Sequence, residues 1–234
     1  MHGTSHAWTI GIEPAILYFG TPVVLIGSCN DDGSFNLAPM SSAWWVGWRG
    51  MLGLARNSKT TANMIRSGEC VLNLPSADLV GAVDRLARTA GSDPVPPGKI
   101  RRGYRHEKDK FGVSGPTALR GETVAAPRAA ECPVQIEAKV SHVHEMAQED
   151  AIWRGNLVAI EVRVTRVHAH PEIMMQGEPN RIDPDKWRPL IMSFQQFYGL
   201  TPEKLQRAEL GQIPESSLAA GDLESLSSES LPRT

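Results

Sequence analysis

The chain has 234 residues, of which 41% are hydrophobic, enough for one large domain with a substantial core. A balance of 24 Lys and Arg against 26 Asp and Glu gives a net charge of −2, which argues against a dedicated nucleic-acid-binding protein. No apolar run reaches the roughly 18–20 residues that a membrane-spanning helix requires, and the N-terminal stretch lacks the pattern of a secretory signal. The three cysteines, Cys29, Cys70 and Cys132, include no CxxC pair and indicate reduced thiols, so we expect a cytoplasmic protein.

The sequence between residues 14 and 165 predicts a mainly β fold with peripheral helices. Its runs of apolar and β-branched residues are 21–28, 51–55, 69–74, 134–140 and 157–165. After the first run, Asp32-Gly33 predicts the turn of a hairpin whose return strand ends near Pro39. The last two runs alternate between apolar and polar residues, which predicts antiparallel strands with one solvated face each. Several such strands favour a barrel or a sandwich.

Capping residues mark the predicted helices, and a change of composition marks the end of the domain. The predicted helices run from Ser58 or Thr60 to Arg66, from Ser76 to Gly91 and from Thr201 to Gly211. Between the last two helices, the proline-rich and basic stretch 91–112 predicts a long loop or flap. Residues 1–213 therefore form one predicted domain. Residues 214–234, rich in Ser, Glu and Leu without a sustained period, are expected to be a flexible tail.

Four common enzyme motifs are absent from the sequence. It contains no GxGxxG after a strand, no GxxxxGK[ST], no HExxH and no GxSxG. These absences argue against a Rossmann dehydrogenase, a P-loop nucleotidase, a zinc protease and an α/β-hydrolase. Any nucleotide must therefore be held in a different kind of site.

Two stretches carry residues suited to binding a phosphorylated ligand. In the first, Ser58, Lys59 and Thr60 stand where a strand gives way to a helix. Unpaired N–H groups at the helix start, two hydroxyls and one ammonium would together bind a phosphate monoester, although plain helix capping explains the same residues. In the second, residues 36–45 offer small side chains and hydroxyls on an extended segment, a surface on which a flat polar ring can lie. The alternative is a strand that leaves the core at a proline.

The order and spacing of several motifs match one known family. The motifs are Tyr18-Phe19-Gly20-Thr21-Pro22-Val23, Asn36-Leu37-Ala38-Pro39-Met40-Ser41-Ser42, Ser58-Lys59-Thr60 with Asn63, Glu69-Cys70-Val71-Leu72-Asn73-Leu74 and Asp109-Lys110-Phe111. With these motifs, the chain resembles the flavin reductase-like family, which has the FMN-binding split-barrel fold and includes flavoredoxin-type proteins. A looser similarity continues through 131–137, so the resemblance covers most of residues 14–170.

The resemblance implies a six-stranded antiparallel split barrel, usually a homodimer, with FMN near the subunit interface. It implies that Ser58, Lys59 and Thr60 hold the FMN phosphate, with Asn63 nearby. The residues implied to line the ribityl chain and the isoalloxazine ring are Asn36, Ala38, Pro39, Met40, Ser41, Ser42 and Leu54. Lys110 matches a family loop near the flavin.

The implied activity is FMN-dependent oxidoreduction with NADH or NADPH as a possible reductant. The protein would be a flavin reductase that serves a monooxygenase, or a flavoredoxin-like electron carrier. Hydride transfer to the flavin needs no side-chain acid or base, so no catalytic residue is predicted. Many reductases of this superfamily carry a Gly-Asp-His element in a late strand, whereas residues 153–160 contain no His. A non-catalytic FMN-binding split-barrel protein is therefore the alternative.

The tryptophans and the basic run leave further alternatives open. Trp44, Trp45 and Trp48 would wall the flavin or fill the core and the dimer seam, and Trp44 is the candidate for flavin contact. The basic run from Lys99 to Lys110 would attract the phosphates of a second nucleotide or form a solvated loop.

Four histidines form two HxH pairs, His142 with His144 and His168 with His170. If their strands form a hairpin, the two pairs lie far apart along it, and one pair alone offers too few ligands for a metal ion. We therefore predict no metal site and expect histidines that are structural or lie at the rim of the barrel.

Overall fold

The computed structural model describes residues 9–206, 208–213 and 215. Its strands are β1 (Phe19–Pro22), β2 (Val24–Cys29), β3 (Phe35–Met40), β4 (Ala43–Val46), β5 (Arg49–Ala55), β6 (Glu69–Leu74), β7 (Thr89–Ala90), β8 (Arg105–His106), β9 (Ala118–Leu119), β10 (Arg128–Ala129), β11 (Val134–Glu145), β12 (Leu157–Ala169), β13 (Ile191–Ser193) and β14 (Gln196–Tyr198). Its α-helices are α1 (Lys59–Ser67), α2 (Val80–Arg85), α3 (Pro97–Ile100) and α4 (Lys110–Ser114), with 3₁₀ turns at Ala77–Leu79, Pro171–Ile173 and Glu209–Gln212. The expected tail at 214–234 lies outside the described residues, apart from Glu215.

Seven antiparallel strands form the main sheet in the order β3-β2-β6-β11-β12-β5-β4. The two edge strands, β3 and β4, follow each other in the chain with only Ser41 and Ser42 between them. Three Cα steps span at most about 11 Å, so the sheet must curl until its edges meet. Counted as one interrupted run, β3 and β4 make a ring of six strands. The predicted fold class, mainly β and antiparallel with peripheral helices, is confirmed.

The hairpin of β2 and β3 is confirmed by its strand pairing, which runs from Val24 opposite Met40 to Cys29 opposite Phe35. Its turn is closed by the Asn30 N–H, which donates to the Ser34 carbonyl at 2.8 Å. Gly33 has a φ of 79°, a conformation that glycine adopts without steric cost.

The main core lies inside the curled sheet. Its fully buried members include Val24, Ile26, Leu52, Met64, Leu72, Val158, Ile160 and Val162. The predicted alternation in 157–165 is confirmed, because Val158, Ile160, Val162 and Val164 all face this core. A second core packs α2 and α4 against the opposite face of β2 and β3, and Met192 and Phe197 of the small sheet β1-β13-β14 pack beside it.

The predicted solvated face of β11 is wrong at Gln135 and Glu137, because a neighbouring segment covers them, whereas Lys139 is exposed as predicted. Gln135 is 4% exposed and Glu137 is 0% exposed. The Gln135 amide donates to the Cys132 carbonyl at 2.9 Å, and the Glu137 carboxylate accepts from the Glu122 N–H at 2.8 Å and the Thr123 N–H at 2.6 Å. Gln135 and Glu137 therefore bind other parts of the chain instead of water.

One predicted helix forms as expected, and two differ. Helix α1 is capped by Ser58 and ends at Gly68, which is left-handed with a φ of 71°. Helix α2 stops at Arg85, well before Gly91, and the main chain turns at Arg88 with a φ of 55°.

The helix predicted from Thr201 is wrong. Residues 201–206 are not helical, and the only helical turn nearby among the described residues is the 3₁₀ turn Glu209–Gln212. Leu205 is 99% exposed, so the apolar side of this stretch has no surface to pack against and capping alone does not hold it. None of the helices in the described ranges is both long and apolar enough to cross a membrane.

Candidate functional site

A cavity of about 590 Å³ opens beside the junction of β3 and β4. Its size falls within the range of roughly 300–1,000 Å³ that is typical of small-molecule and cofactor sites. The predicted site residues that line it are Ala38, Pro39, Met40, Ser41, Ser42, Leu54, Ser58, Lys59 and Thr60. The structure thus brings the two stretches singled out in the sequence to one cavity.

The N-terminus of α1 forms the polar end of the cavity. Ser58 acts as the helix cap, since its Oγ accepts from the Thr61 N–H at 3.1 Å. Helix geometry leaves the N–H groups of Lys59 and Thr60 without an intrahelical acceptor, and the helix dipole places partial positive charge there. The capping predicted as an alternative is present, and it leaves two N–H groups, the Thr60 hydroxyl and the Lys59 ammonium for an anion.

Two buried asparagines support this end from behind instead of lining it. Asn36 Nδ2 donates to Thr60 Oγ1 at 3.1 Å and to Ser28 Oγ at 3.3 Å. Asn63 Nδ2 donates to the same Ser28 Oγ at 3.2 Å and to Asn30 Oδ1 at 2.9 Å. Because Asn36 donates to the Thr60 oxygen, the Thr60 hydroxyl proton is directed to another acceptor. The network therefore fixes Thr60 as a donor.

Lys59 is held loosely by its ion pair. Its Nζ lies 3.8 Å from Asp31, while Arg66 binds the same carboxylate at 2.6 Å. Both pairs are partly exposed, where an ion pair contributes little stability. Since Arg66 already pairs with Asp31, the Lys59 ammonium can turn toward a ligand at low cost.

Lys110 lies behind the cavity wall. It is 2% exposed, and its Nζ donates to Thr89 Oγ1, a wall residue, at 2.7 Å. Burial lowers the pKa of the Lys110 ammonium, as do the charges of Lys99 and Arg105, and with a partial offset from Glu107 the pKa is about 8. A cation that titrates close to neutral pH is thereby placed one side chain away from the cavity.

The structure does not bring Trp44 to the cavity within this chain. Trp44 lies on the edge strand β4 and is 56% exposed, and Trp48 beyond it is exposed as well. Trp45 is partly buried and packs against the main core. Of the three tryptophans, one fills the core and two face outward.

Several walls of the cavity were missed by the sequence reasoning. They include Tyr18, Asp84, Ala87, Arg88, Thr89, Lys99, Tyr104, Met192, Gln195 and Phe197. Arg88 and Gln195 have φ values of 55° and 65°, a conformation uncommon for residues other than glycine. Nothing in the surrounding sequence predicts these turns. Tyr18 belongs to a family motif and Lys99 to the basic run, but neither pattern predicts a place in the cavity wall.

The two histidine pairs lie at opposite ends of the β11–β12 ladder. His142 and His144 lie 3.4 and 3.8 Å from Glu161, whose carboxylate is also 3.3 Å from Arg49. At the other end, His168 Nε2 lies 2.8 Å from Glu137. Within residues 9–206, 208–213 and 215, no group of three or more His, Cys, Asp or Glu side chains has the arrangement of a metal site.

Comparisons with known proteins agree with this geometry. A family model described as "Flavin reductase like domain" matches residues 16–200. A relative from Bacillus subtilis (strain 168), named uncharacterized protein YdfE, is 37% identical over 192 residues, which are 82% of this chain and 89% of the relative.

Two solved structures share the fold. The flavoredoxin of Desulfovibrio vulgaris (Miyazaki F) has a TM-score of 0.69 and 20% identity, with coverage of 88% of this chain and 100% of that protein. Nitrilotriacetate monooxygenase component B from Bacillus cereus has a TM-score of 0.66 and 18% identity, with coverage of 85% and 98%. At 20% and 18% identity, these two similarities show that the chain shares the fold of both proteins.

Proposed function

Because the chain belongs to the family of flavin reductase like domains, we propose that it is an oxidoreductase that binds FMN in the cavity beside β3 and α1. The observation that carries the proposal is that a polar, positively charged end at Ser58–Thr60 and an apolar surface at Ala38–Met40 line the same cavity. FMN has a phosphate monoester at one end and a flat ring at the other. The two ends of the cavity suit the two ends of the cofactor.

In this proposal, the phosphate is held by the start of α1. The N–H groups of Lys59 and Thr60 and the hydroxyl of Thr60 donate to it, and the Lys59 ammonium pairs with it. Ser58 contributes as the helix cap, because its Oγ accepts from the Thr61 N–H and lies 2.8 Å from Thr61 Oγ1. The buried amides of Asn36 and Asn63 keep Thr60 in place. Donors that are already oriented lose little freedom on binding, which favours affinity.

The ring is held by the junction of β3 and β4 and by β5. Ala38, Pro39, Met40 and Leu54 offer apolar contact, and the hydroxyls of Ser41 and Ser42 hydrogen-bond the polar ring edge. Lys110 does not line the cavity; its role is to hold the side chain of Thr89, which does. FMN supplies hydride and electron transfer when it is bound. The chain binds and orients the ring and shields it from water, and no catalytic acid or base is required.

We also propose a homodimer. Trp44, Val46 and Trp48 expose apolar surface on or beside the edge strand β4, with exposures of 56%, 69% and 62%. Exposed aromatic clusters of this kind are typical of protein interfaces. In a dimer, Trp44 would reach the flavin of the partner subunit.

The proposed activity is NAD(P)H:flavin reduction, with a monooxygenase as the consumer of reduced flavin, or flavoredoxin-like electron transfer. A structural neighbour that is a monooxygenase component B and another that is a flavoredoxin support these two versions. Three free thiols support a cytoplasmic location. The alternative remains a protein that binds FMN without turnover, which the absence of His in residues 153–160 favours.

The test is to titrate the purified protein with FMN and to monitor binding by the visible absorption spectrum of the flavin. Lys59→Ala and Thr60→Ala should each weaken FMN binding by about 10-fold or more, because a charge-assisted hydrogen bond contributes roughly 1.5–3 kcal/mol. Lys139→Ala, an exposed residue of β11 that lines neither end of the cavity, is the matched control. Unchanged affinity in both site variants would overturn the proposed phosphate site.

An assay on the same purified protein distinguishes an oxidoreductase from the alternative, a protein that binds FMN without turnover. An oxidoreductase consumes NADH or NADPH in the presence of FMN, whereas a binding protein with normal FMN affinity leaves both nucleotides unchanged. Absence of FMN binding by the unaltered protein would remove both versions of the proposal.

A further inference from the structure

A second cavity, of about 580 Å³, adjoins the proposed flavin cavity. It is lined by Asp84, Arg85, Ala87, Arg88, Gly103, Arg105 and Val113, and we call it the arginine pocket. Asp84, Ala87 and Arg88 line both cavities. The two cavities are therefore immediate neighbours, and Arg88 stands at their boundary.

Arg85 is a fixed wall of the arginine pocket. Its Nε donates to the Val113 carbonyl at 3.1 Å and its Nη2 to the Ser114 carbonyl at 2.5 Å. These carbonyls belong to the last turn of α4, where a cation is stabilised by the helix dipole. The guanidinium is thus held in one orientation, with N–H groups left over for a ligand.

Arg88 enters the pocket from the turn just before β7, and Arg105 enters it from β8. The Arg105 N–H donates to the Arg88 carbonyl at 2.9 Å, next to the parallel pairing of β7 and β8. Arg88 keeps a φ of 55°, which costs a non-glycine residue on the order of 1 kcal/mol and persists where the surrounding structure requires it. The turn directs the Arg88 side chain to the boundary of the two cavities.

Within the described part of the chain, neither Arg88 nor Arg105 lies within 4 Å of a carboxylate, although Asp84 lines the same pocket. Two further cations close by add to the positive potential, which Asp84 opposes. Lys99 and Arg102 both approach the ring of Tyr104, each at 5.6 Å. An anion placed here would be attracted by Arg88, Arg105, Lys99 and Arg102, none of which lies within 4 Å of a carboxylate of the residues that the structure describes.

Neighbouring amines respond to this positive charge. Burial and the charge of Arg102 lower the pKa of Lys99. Burial lowers the pKa of Lys110 most, and the charges of Lys99 and Arg105 lower it further. Only the charge of Glu107 raises it. The cations of this region thus destabilise one another, and a bound anion would relieve that repulsion.

We propose that the arginine pocket binds the 2′-phosphate of a phosphorylated pyridine dinucleotide, so that NADPH is preferred over NADH. The inference rests on the proposed function, because it concerns the reductant of that site. Guanidinium groups bind phosphate oxygens in pairs of parallel hydrogen bonds, and three of them suit a doubly charged phosphate monoester. The 2′-phosphate is the group that distinguishes the two nucleotides, and the flavin cavity adjoins this pocket at Arg88.

The test measures binding of nucleotide fragments to the full chain without added flavin. Adenosine 2′,5′-bisphosphate carries the 2′-phosphate, and ADP carries a pyrophosphate instead. We expect calorimetric titration to show tighter binding of the bisphosphate. Arg88→Gln and Arg105→Gln should each weaken that binding about 10-fold, whereas Arg163→Gln, an exposed residue of β12 that lines neither cavity, should not.

Other outcomes overturn the proposal. Equal binding of ADP and the bisphosphate, both weakened by the variants, would mean that the pocket takes a pyrophosphate and does not select NADPH. Binding that both variants leave unchanged would mean that the arginines hold no phosphate. In the flavin-loaded protein, the KM for NADPH should rise relative to that for NADH in both variants. Failure of the unaltered protein to bind FMN would overturn the proposed function, while the fragment titrations would still test the pocket.

Discussion

Glu137 and His168 join strands β11 and β12 through a hydrogen bond of 2.8 Å, and the Glu137 side chain is fully buried. The same carboxylate accepts from the N–H groups of Glu122 and Thr123 and from the Thr123 hydroxyl. Burial by itself raises the pKa of Glu137, but the bonds from Thr123, Glu122 and His168 lower it by more, to about 2. The charged Glu137 carboxylate therefore holds the loop with residues 122 and 123 against β11.

Replacing the carboxylate by an amide should weaken this attachment. In Glu137→Gln, one side-chain atom becomes an N–H donor that faces the N–H donors of the loop. We expect the free energy of unfolding at neutral pH to fall by about 2–4 kcal/mol, the range for loss of one member of a buried charged network. Urea denaturation measures the change. Glu122→Gln, whose side chain is half exposed, is the control and should change stability little.

The contribution of Glu137 to the free energy of unfolding should decrease at acidic pH. Because the folded pKa is about 2 and the ordinary value is 4.5, the contribution is complete above about pH 4.5 and is lost as the pH falls toward 2. The stability difference between the unaltered protein and Glu137→Gln should therefore narrow over that interval. A difference that stayed constant from pH 6 to pH 2.5 would contradict the assigned pKa.

Lys110 should destabilise the protein at neutral pH. Its pKa in the folded state is about 8, against an ordinary 10.5, so the unfolded chain binds more protons between these values and stability rises with pH there. We expect Lys110→Met to raise the free energy of unfolding by roughly 2 kcal/mol at pH 7 and to lose that advantage by pH 10.5. The exposed neighbour variant Lys108→Met should show neither effect.

The same substitution tests the role of Lys110 behind the cavity. If Lys110 contributes to FMN binding, Lys110→Met should be more stable than the unaltered protein but bind FMN less tightly, because Thr89 loses its buried partner. An increase in stability with unchanged FMN affinity would remove Lys110 from the proposed binding site.

Gly91 allows a close approach between its loop and the site. A Cβ there would lie 2.6 Å from Asn36 Oδ1 and 3.2 Å from Lys59 Cγ. Since Asn36 is buried and bonded to Thr60, it has little room to yield, and we expect Gly91→Ala to cost about 1–3 kcal/mol and to weaken FMN binding. Gly98→Ala, whose nearest atom would be Arg101 Nη2 at 3.8 Å, is the control. Thermal unfolding and FMN titration of both variants measure the effect, and equal behaviour would contradict the prediction.

The three thiols should differ in reactivity. Burial, with a contribution from Glu69 and Glu131 respectively, raises the pKa of Cys70 and Cys132 to about 12. Cys29 is only partly buried, although its pKa is also raised, first by burial and then by Glu69. Because the thiolate is the reactive form, a disulfide reagent at pH 8 should modify Cys29 alone in the folded protein and all three thiols in urea. Native labelling that persisted in Cys29→Ser would contradict this order.

Local patterns predicted the elements that depend on near neighbours in the chain. The Asp32-Gly33 turn, the Ser58 cap of α1 and the apolar alternation of β12 each need only a few consecutive residues. The family and fold class followed from the order of such motifs, and both are confirmed.

The extent of α2 and the surroundings of β11 depended on distant contacts. Gln135 and Glu137 look solvent-facing in the sequence because their alternation with apolar residues is regular. They are buried because another segment supplies hydrogen-bond donors and acceptors for them. Helix α2 stops at Arg85, and three residues later Arg88, a residue with no turn preference, takes the left-handed conformation.

The sequence by itself determined the fold class, the family and one side of the candidate site, because strand period, turn chemistry and helix capping are set by residues close together in the chain. Only the tertiary structure decided that Arg88, Lys99 and the β13–β14 hairpin close the other side, and that Asn36 and Lys110 lie behind it. The physical reason is that burial and electrostatic surroundings depend on which distant segments cover a side chain. The local pattern of residues does not contain that information.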